Sequence, residues 1–534
     1  MTIADKIKEL KDRHPYKTAL VDLKTGDKAN FNHMDVKSDK ICTYLENKGF
    51  KKGDKIVVFV PIGVEFYIIL LAIFKMGLQA VFIDPYADTE HINKCCEMIS
   101  PEGIIGSGKT ILKGFFLKGI RKIGKKINYN KMLEQSESLP PMKKRKPKKY
   151  EREEEHINEN TPALISFTSG STGFPKIIMR THGFLMGQHK VLEKNLKFEK
   201  ETSIYSSFPI FLLSHMATGA TVFIPDIDMS SPMEANPKEV TEQIKKNNIQ
   251  NIILPPVILE NIVNYVEKNN MTLKNVQTVY TGGAPVFPKL MQKIDKIFEN
   301  VKVRALYGAS EAEPISILNY EDITGEDIEN MKNGYGLLVG RKVDEIDLKI
   351  EEISEKADEK MNESENEGFE KKSEAENKKS ENKEDKNTGI KGEILVKGEN
   401  VLKGYLNIPE SPDKKWHKTG DTGYINEKGQ LVLLGRVKGR IRINDNIYYP
   451  FSIETAFSFC EALKKSVLTS KDDKLYLITE RNPDFEGNLE ENEEIKKLKE
   501  KFGIFKIVED EIPVDKRHNS KTDYKKLEEL KEKL

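Results

Sequence analysis

Cysteine is scarce in this sequence: four in 534 residues, at Cys42, Cys95, Cys96 and Cys460. They show no metal-ligand spacing, and the neighbours Cys95 and Cys96 are poorly placed for an ordinary disulfide. Such usage points to a reducing compartment, and so to a cytoplasmic protein. Net charge is also nearly absent, with 86 Lys and Arg against 85 Asp and Glu. A chain that binds nucleic acid globally would be basic, so no nucleic-acid partner is expected. Long apolar runs are missing too. The longest surrounds Tyr67 to Phe74, far short of the roughly 20 residues a spanning helix needs. The opening MTIADKIKELKDRHP carries no apolar core of the kind a secretion signal has, so no signal peptide is expected.

What is present is length, polarity and a repeating pattern. A chain of 534 residues exceeds one compact core and predicts two or more domains. Residues 56–60 (IVVFV) read as a buried strand, 63–76 as a helix with an apolar stripe, and 80–84 (AVFID) as another strand. Strand, helix, strand at this spacing is a βαβ unit. The pattern returns in IYSSFPI, TVFIPD, a helix at 238–246, NIILPP and VQTVYTGG. Mixed α/β layers with largely parallel sheets are the expectation.

Two segments break the pattern. Residues 143–155 (KKRKPKKYEREEE) are a basic run followed at once by an acidic one, which reads as a solvated surface linker. Residues 351–390 hold 14 acidic and 8 basic residues among 40. Their apolar residues are too sparse to bury, so a disordered insertion is expected there. Order resumes at GEILV, 392–396.

Residues 164–176, LISFTSGSTGFPK, lead from an apolar run into Thr168, Ser169, Gly170, Ser171, Thr172 and Gly173, with Lys176 beyond. Glycines let backbone N–H groups approach an anion, hydroxyls add donors and a lysine adds charge. This is a polyphosphate-binding composition. A competitor is Gly103-Ile-Ile-Gly-Ser-Gly108-Lys109-Thr110, which fits the phosphate-loop pattern of P-loop NTPases. Its context is wrong: Ile-Ser-Pro-Glu precedes it instead of a strand, and Ile104 and Ile105 look like a strand themselves.

TSGSTGFPK resembles the signature of the adenylate-forming superfamily, which includes acyl-CoA synthetases, peptide-synthetase adenylation domains and luciferases. Further motifs follow in the order of that family: Gly282-Gly283-Ala284-Pro285, Tyr307-Gly308-Ala309-Ser310-Glu311, Thr419-Gly420-Asp421, Gly435-Arg436 and Lys521. The resemblance implies a large N-terminal α/β domain over 1–434 and a small α+β lid over 435–534, hinged near Lys438. It implies ATP and Mg²⁺ as cofactors and a small carboxylic acid as substrate. The 168–176 loop, with Lys176, would grip the phosphates. Gly283, Ala284 and Pro285 would line the adenine site, and Tyr307 would pack on the base. Gly308, Ala309 and Ser310 would lie along the nucleotide, with Ser310 on phosphate and Glu311 on the metal. Asp421 and Arg436 would take the ribose hydroxyls, and Lys521 would reach the acyl and phosphate oxygens. The residue types suit the chemistry. A carboxylate must attack an anionic α-phosphorus, and Mg²⁺ and a lysine offset the repulsion.

Residues 208–232, 307–315 (YGASEAEPI) and 513–521 (PVDKRHNSK) look most like the fatty-acid–CoA-ligase-like and olefin β-lactone synthetase branch, which implies a fatty acid. One departure bears on the acceptor. The superfamily's I-K-x-x-G is here Ile441-Arg442-Ile443-Asn444-Asp445, and an acidic side chain at Asp445 would crowd a CoA arm. Three functions are therefore carried: an acyl-CoA synthetase-like ligase with CoA as acceptor, a β-lactone synthetase closing a β-hydroxy fatty acid without CoA, and a P-loop NTPase or non-catalytic nucleotide binder. Finally, LKGFFLKGIRKIGKK (112–126) could form a basic amphipathic helix making weak peripheral contact with a membrane, though its three glycines disfavour the helix.

Overall fold

The computed structural model describes residues 1–84, 87–114, 117–142, 156–168, 175–198, 202–353, 389–406, 416–514 and 522–532. The linker 143–155, nearly all of the charged insertion, the loop 169–174, Phe115, Phe116 and Lys521 lie outside the described residues.

The expected βαβ unit forms as strand Lys55–Phe59, helix Val64–Lys75 and strand Gln79–Phe82. The helix departs from expectation in one respect. Every residue from Phe66 to Phe74 is buried, so it has no polar face and no single apolar stripe. Helix Phe31–Asn47 covers one side and its own sheet the other. The burial reaches the end of the helix, where Lys75 Nζ pairs with Asp35 at 2.6 Å and Asp39 at 2.7 Å.

This unit belongs to a six-stranded sheet in the order Lys125–Asn128, Gly103–Gly106, Lys55–Phe59, Gln79–Phe82, Pro162–Thr168, Lys176–Thr181. All neighbours are parallel except the last pair, a hairpin that sets Thr168 opposite Lys176 and so frames the glycine-rich loop. Gly103–Gly106 is one of the parallel strands, and helix Gly108–Gly114 begins two residues later. Only Ser107 lies between them, so the phosphate-loop look-alike has no free loop to wrap an anion.

The second sheet has thirteen strands. Its first half is parallel as expected, running through Thr18–Asp22, Thr221–Ile224, Ser203–Ser206, Asn251–Leu254, Thr278–Gly282 and Lys302–Ala309. From Lys302–Ala309 onward the neighbours are antiparallel, which the sequence reading had not anticipated. Two of these joints, Lys302–Ala309 to Ala312–Asn319 and His417–Ile425 to Leu431–Arg436, are short turns, and a tight turn can join only antiparallel strands. Helix Pro237–Lys246 is typical of the crossover helices. Asn236 accepts from Lys238 N at 3.1 Å, proline opens the first turn, and Val240, Thr241 and Ile244 face the core.

Strand Leu431–Arg436 is the last in chain order to join the large sheet. A smaller α+β unit follows, with sheet Leu463–Lys471, Lys474–Arg481, Ile504–Glu509 and helices Pro450–Phe457 and Glu493–Phe502. Ile453, Phe457, Leu468, Leu477 and Ile495 give it a core of its own. It meets the large unit where Phe451 faces Phe287, ring centroids 6.5 Å apart. Residues 112–126 are not one helix. They divide into the end of Gly108–Gly114, a single turn Lys118–Arg121 and the start of strand Lys125–Asn128. Ile120 and Ile123 are buried in the protein's own core. Among the described residues no helix is long and apolar enough to cross a membrane.

Candidate active site

Parallel strands leave a crevice at their carboxyl ends, where ligands of open α/β sheets bind. Most of the motif residues gather there. Strand Thr278–Gly282 ends at Gly283, whose φ of +81° suits glycine. A Cβ on Gly282 would stand 2.6 Å from the Leu306 carbonyl oxygen, so the close approach of the two strands requires glycine. Ala284 is half-buried and Pro285 exposed beyond it.

The next strand, Lys302–Ala309, carries Tyr307, Gly308 and Ala309, then turns back into Ala312–Asn319. Ala309 pairs with Ala312, so Ser310 and Glu311 form the two-residue tip of a hairpin. A Cβ on Gly308 would meet the Ala312 carbonyl at 2.8 Å, which explains glycine inside this strand. The tip is held from outside. Leu402 N donates to Glu311 O at 2.7 Å, and Tyr405 Oη donates to Glu311 Oε1 at 2.8 Å. Burial, reinforced by the Glu311 charge, pushes the Tyr405 phenol above its usual range, so it stays a donor. Lys176 Nζ lies 4.8 Å from the Tyr405 ring centroid, which brings the lysine that follows the loop to the residue that bonds Glu311.

Three residues of this corner were missed in the sequence. Arg180, 3% exposed, donates to Ser166 Oγ at 2.8 Å and to Ser310 O at 2.7 Å, so it ties the loop-bearing hairpin to the Glu311 hairpin. Burial lowers its pKa, while Glu313 and Glu311 oppose the shift. An arginine inside the apolar strand KIIMRT was the available signal. Tyr405 is the second. His417 is the third, its ring edge-on to Tyr405 at 6.2 Å, with burial holding its pKa below the usual value against the pull of Glu311. Neither had a flanking pattern that marked it.

A second corner forms where strands His417–Ile425 and Leu431–Arg436 set Asp421 opposite Arg436. Arg436 Nε stands 3.2 Å from Asp421 Oδ1, and Tyr307 Oη donates to Asp421 Oδ2 at 2.8 Å. Asp421 N donates to Thr419 Oγ1 at 3.1 Å. Burial, then the facing Asp421 carboxylate, raises the Tyr307 pKa well above its ordinary value. Gly420 takes a φ of +73°, which lets Thr419-Gly420-Asp421 turn the carboxylate toward Tyr307.

Tyr307 also lines a narrow cleft with Phe208, Phe211, Ile253, Gly283 and Leu306. A wider cleft of about 710 Å³ opens at the opposite, amino ends of the same strands, beside Ser203, Asn248, Gln250 and Lys274. It holds none of the motif residues, so the chemistry belongs to the narrow one. The structure thus brings together Lys176, Gly283, Tyr307, Ser310, Glu311, Asp421 and Arg436. Ser169, Gly170, Ser171, Thr172 and Gly173 lie outside the described residues, between strands that are described. Lys521 also lies outside them, in a segment flanked by the antiparallel bridge between Val514 and Thr522.

Known proteins share this fold. An olefin beta-lactone synthetase of Stenotrophomonas maltophilia is 23% identical over 457 residues, covering 82% of this chain and 78% of its own length. The solved structure of ATP-bound MatB from Rhodopseudomonas palustris superposes with a TM-score of 0.75 at 17% identity, covering 99% of each chain. That of a Mycobacterium tuberculosis fatty acyl CoA synthetase gives 0.68 at 17% identity, covering 99% of this chain and 98% of its own. The profile of the family described as AMP-binding enzyme matches residues 7–369. With that match across most of the large unit, this chain belongs to the AMP-binding enzymes, ATP-dependent ligases that join a carboxylic acid to AMP and release pyrophosphate.

Proposed function

We propose that this enzyme activates a fatty acid as its acyl-AMP in the cytoplasm and passes the acyl group to CoA. The observation that supports the acid class is the cleft beside Tyr307, lined by the apolar side chains Phe208, Phe211, Ile253 and Leu306 together with the carboxylate-bearing Glu313. An apolar wall that ends at polar nucleotide residues suits a substrate with a hydrocarbon tail and a carboxylate head.

The residue roles follow from position. Asp421 offers about four lone-pair sites. Tyr307 and Arg436 hold the carboxylate in place, and an aspartate so oriented suits the two ribose hydroxyls of ATP. Gly283 and Ala284 leave room for adenine against the Tyr307 ring. Lys176 and the hydroxyls of 168–172 take the phosphates, with Arg180 fixing the Ser310 end of the same surface. Glu311 suits Mg²⁺, which binds through one or two carboxylates plus substrate phosphates and keeps several waters. Among the described residues no cluster of three or more His, Cys, Asp or Glu stands that would hold a metal alone, so a nucleotide-borne ion fits better. Such an ion would offset phosphate charge as the carboxylate attacks. Tyr405 keeps Glu311 oriented, and Lys521 would stabilise the acyl and α-phosphate oxygens. Residues 435–534 would act as the lid, turning near Lys438 to exchange the two half-reactions.

A second reading is β-lactone formation from a β-hydroxy fatty acid. The Stenotrophomonas relative favours it, as does Asp445, exposed at the tip of the hairpin that pairs Ile443 with Asn446. Product analysis separates the two. Fatty and 3-hydroxy fatty acids are incubated with ATP and Mg²⁺, with and without CoA. Acyl-CoA made only when CoA is added supports the first reading. A lactone from 3-hydroxy acids without CoA moves the assignment to the second. AMP release with none of these acids sinks the fatty-acid class.

A further inference from the structure

The wall of the acid cleft has a second layer. Helix Pro209–Ala217 carries Phe211, which lines the cleft, and His215 one turn further on. The two rings stand 6.1 Å apart, and Phe198 packs edge-on against His215 at 4.9 Å. His215 is 1% exposed, and neither ring nitrogen has a hydrogen-bond partner among the described residues. Burial, with a smaller contribution from neighbouring His189, drives its pKa down to about 3, so the ring is neutral, with one donor and one acceptor to satisfy.

An unpaired buried polar group costs roughly 1–3 kcal/mol. A phenylalanine or leucine would fill an aromatic pocket at no such cost, so simple core filling does not account for a histidine here. Two further orphans adjoin the cleft in sequence. Ser207 Oγ precedes Phe208, and Thr281 Oγ1 precedes Gly282; both are buried and unpartnered. The segments that carry the cleft wall therefore hold buried polar atoms with no hydrogen-bond partner among the described residues. The nearby His189 has one nitrogen engaged, Nδ1 at 3.1 Å from Ser214 Oγ, while its Nε2 has no hydrogen-bond partner among the described residues.

We propose that the acid path continues past Phe211 to His215, and that His215 hydrogen-bonds a hydroxyl or carbonyl group carried on the distal part of the acid's chain. The proposal rests on placing the acid in the Phe208–Phe211 cleft. Phe211 would rotate to admit the tail. His215 can serve either kind of group, because its neutral ring offers both a donor and an acceptor. The substrate class thereby narrows from fatty acids in general to fatty acids with an oxygen function remote from the carboxylate.

The test moves one hydroxyl group along an otherwise constant saturated fatty acid and reads acid-dependent pyrophosphate exchange by the full-length enzyme. The expected result is a KM minimum at a distal position, about tenfold below that of the unsubstituted acid. In His215→Phe the minimum should vanish while exchange with the unsubstituted acid persists, and His215→Gln should restore part of it. A flat profile in the unmodified enzyme overturns the proposal, whether or not any variant folds. So does a minimum at the 3-hydroxy position, which belongs to the reaction centre. A distal minimum that survives in His215→Phe removes His215 from the role. Exchange with the plain acid but no distal preference leaves the fatty-acid reading standing. No exchange with any acid of the series sinks that reading, and this proposal with it.

Discussion

At the corner we propose for ribose, Tyr307, Asp421, Arg436 and Thr419 bond to one another before any ligand arrives. At the acid end, His215, Ser207 and Thr281 bond to nothing among the described residues. The two ends are only one residue layer apart, since Tyr307 belongs to both. In the proposed reading the first end would recognise a part of the substrate that never varies, and a prearranged polar network costs nothing to assemble at binding. The second would meet the part of the substrate that differs between enzymes. Its polar groups remain uncommitted, and that leaves the chain's own specificity to them.

The comparison is broken most directly at Asp421. In Asp421→Ala, Tyr307 Oη and Arg436 lose their shared acceptor, and two ribose hydroxyls lose a charged one. Hydrogen bonds to charged groups are worth about 1.5–3 kcal/mol each, so kcat/KM for ATP should fall by about 10²–10³-fold. The acid KM should move little. Pyrophosphate exchange at varied ATP and varied acid separates the two. An equal rise in acid KM would show that the ends are not independent.

How much of this was legible in the sequence follows the same division. The nucleotide end is written in contiguous motifs, because glycines, a hairpin tip and a carboxylate must sit at set spacings. Tyr307, Glu311, Asp421 and Arg436 were therefore readable, as was the βαβ unit over 55–82. The acid wall is assembled from helix Pro209–Ala217, strands Asn251–Leu254 and Thr278–Gly282, and Phe198. Apolar residues from scattered elements leave no spacing to read. Arg180 and Tyr405 were missed for a related reason, as their roles depend on contacts with Ser310 and Glu311, more than 90 residues away in sequence. Antiparallel pairing beyond Lys302–Ala309 went unread because strand periodicity is the same in both pairing senses. The 112–126 segment failed as a helix where its glycines allowed turns and the strand Lys125–Asn128 claimed its end.

A second measurement sharpens the comparison through pH. His215 has a folded pKa near 3 against an ordinary 6.5. Between those values the unfolded chain binds a proton that the folded chain refuses. Stability is therefore full above about pH 6.5 and falls as pH drops toward 3. The loss should reach a few kcal/mol, since each pKa unit is about 1.4 kcal/mol. His215→Phe should flatten this acid limb in thermal melts taken across the range. An unchanged slope in His215→Phe would mean that the imidazole reaches a proton acceptor or water in the folded state, and the acid wall would no longer contrast with the ribose corner.

The smallest effect is expected from Tyr307→Phe. The substitution keeps the ring that would pack on adenine and removes only the hydroxyl that donates to Asp421 at 2.8 Å. Arg436 still holds the other carboxylate oxygen at 3.2 Å, so Asp421 keeps a partner and its orientation. The loss is one bond that positions a ligand group without contacting the ligand, worth about 0.5–1.5 kcal/mol, or roughly 2–10-fold in KM for ATP. The vacated lone pair can be taken by water or by a ribose hydroxyl, which pulls the effect toward the low end. Thr419 would still fix the backbone of Asp421 through its hydroxyl. Should Tyr307→Phe prove as damaging as Asp421→Ala, the phenol would have to touch the nucleotide directly, and the division between a saturated ribose corner and an uncommitted acid wall would run through Tyr307 instead of beside it.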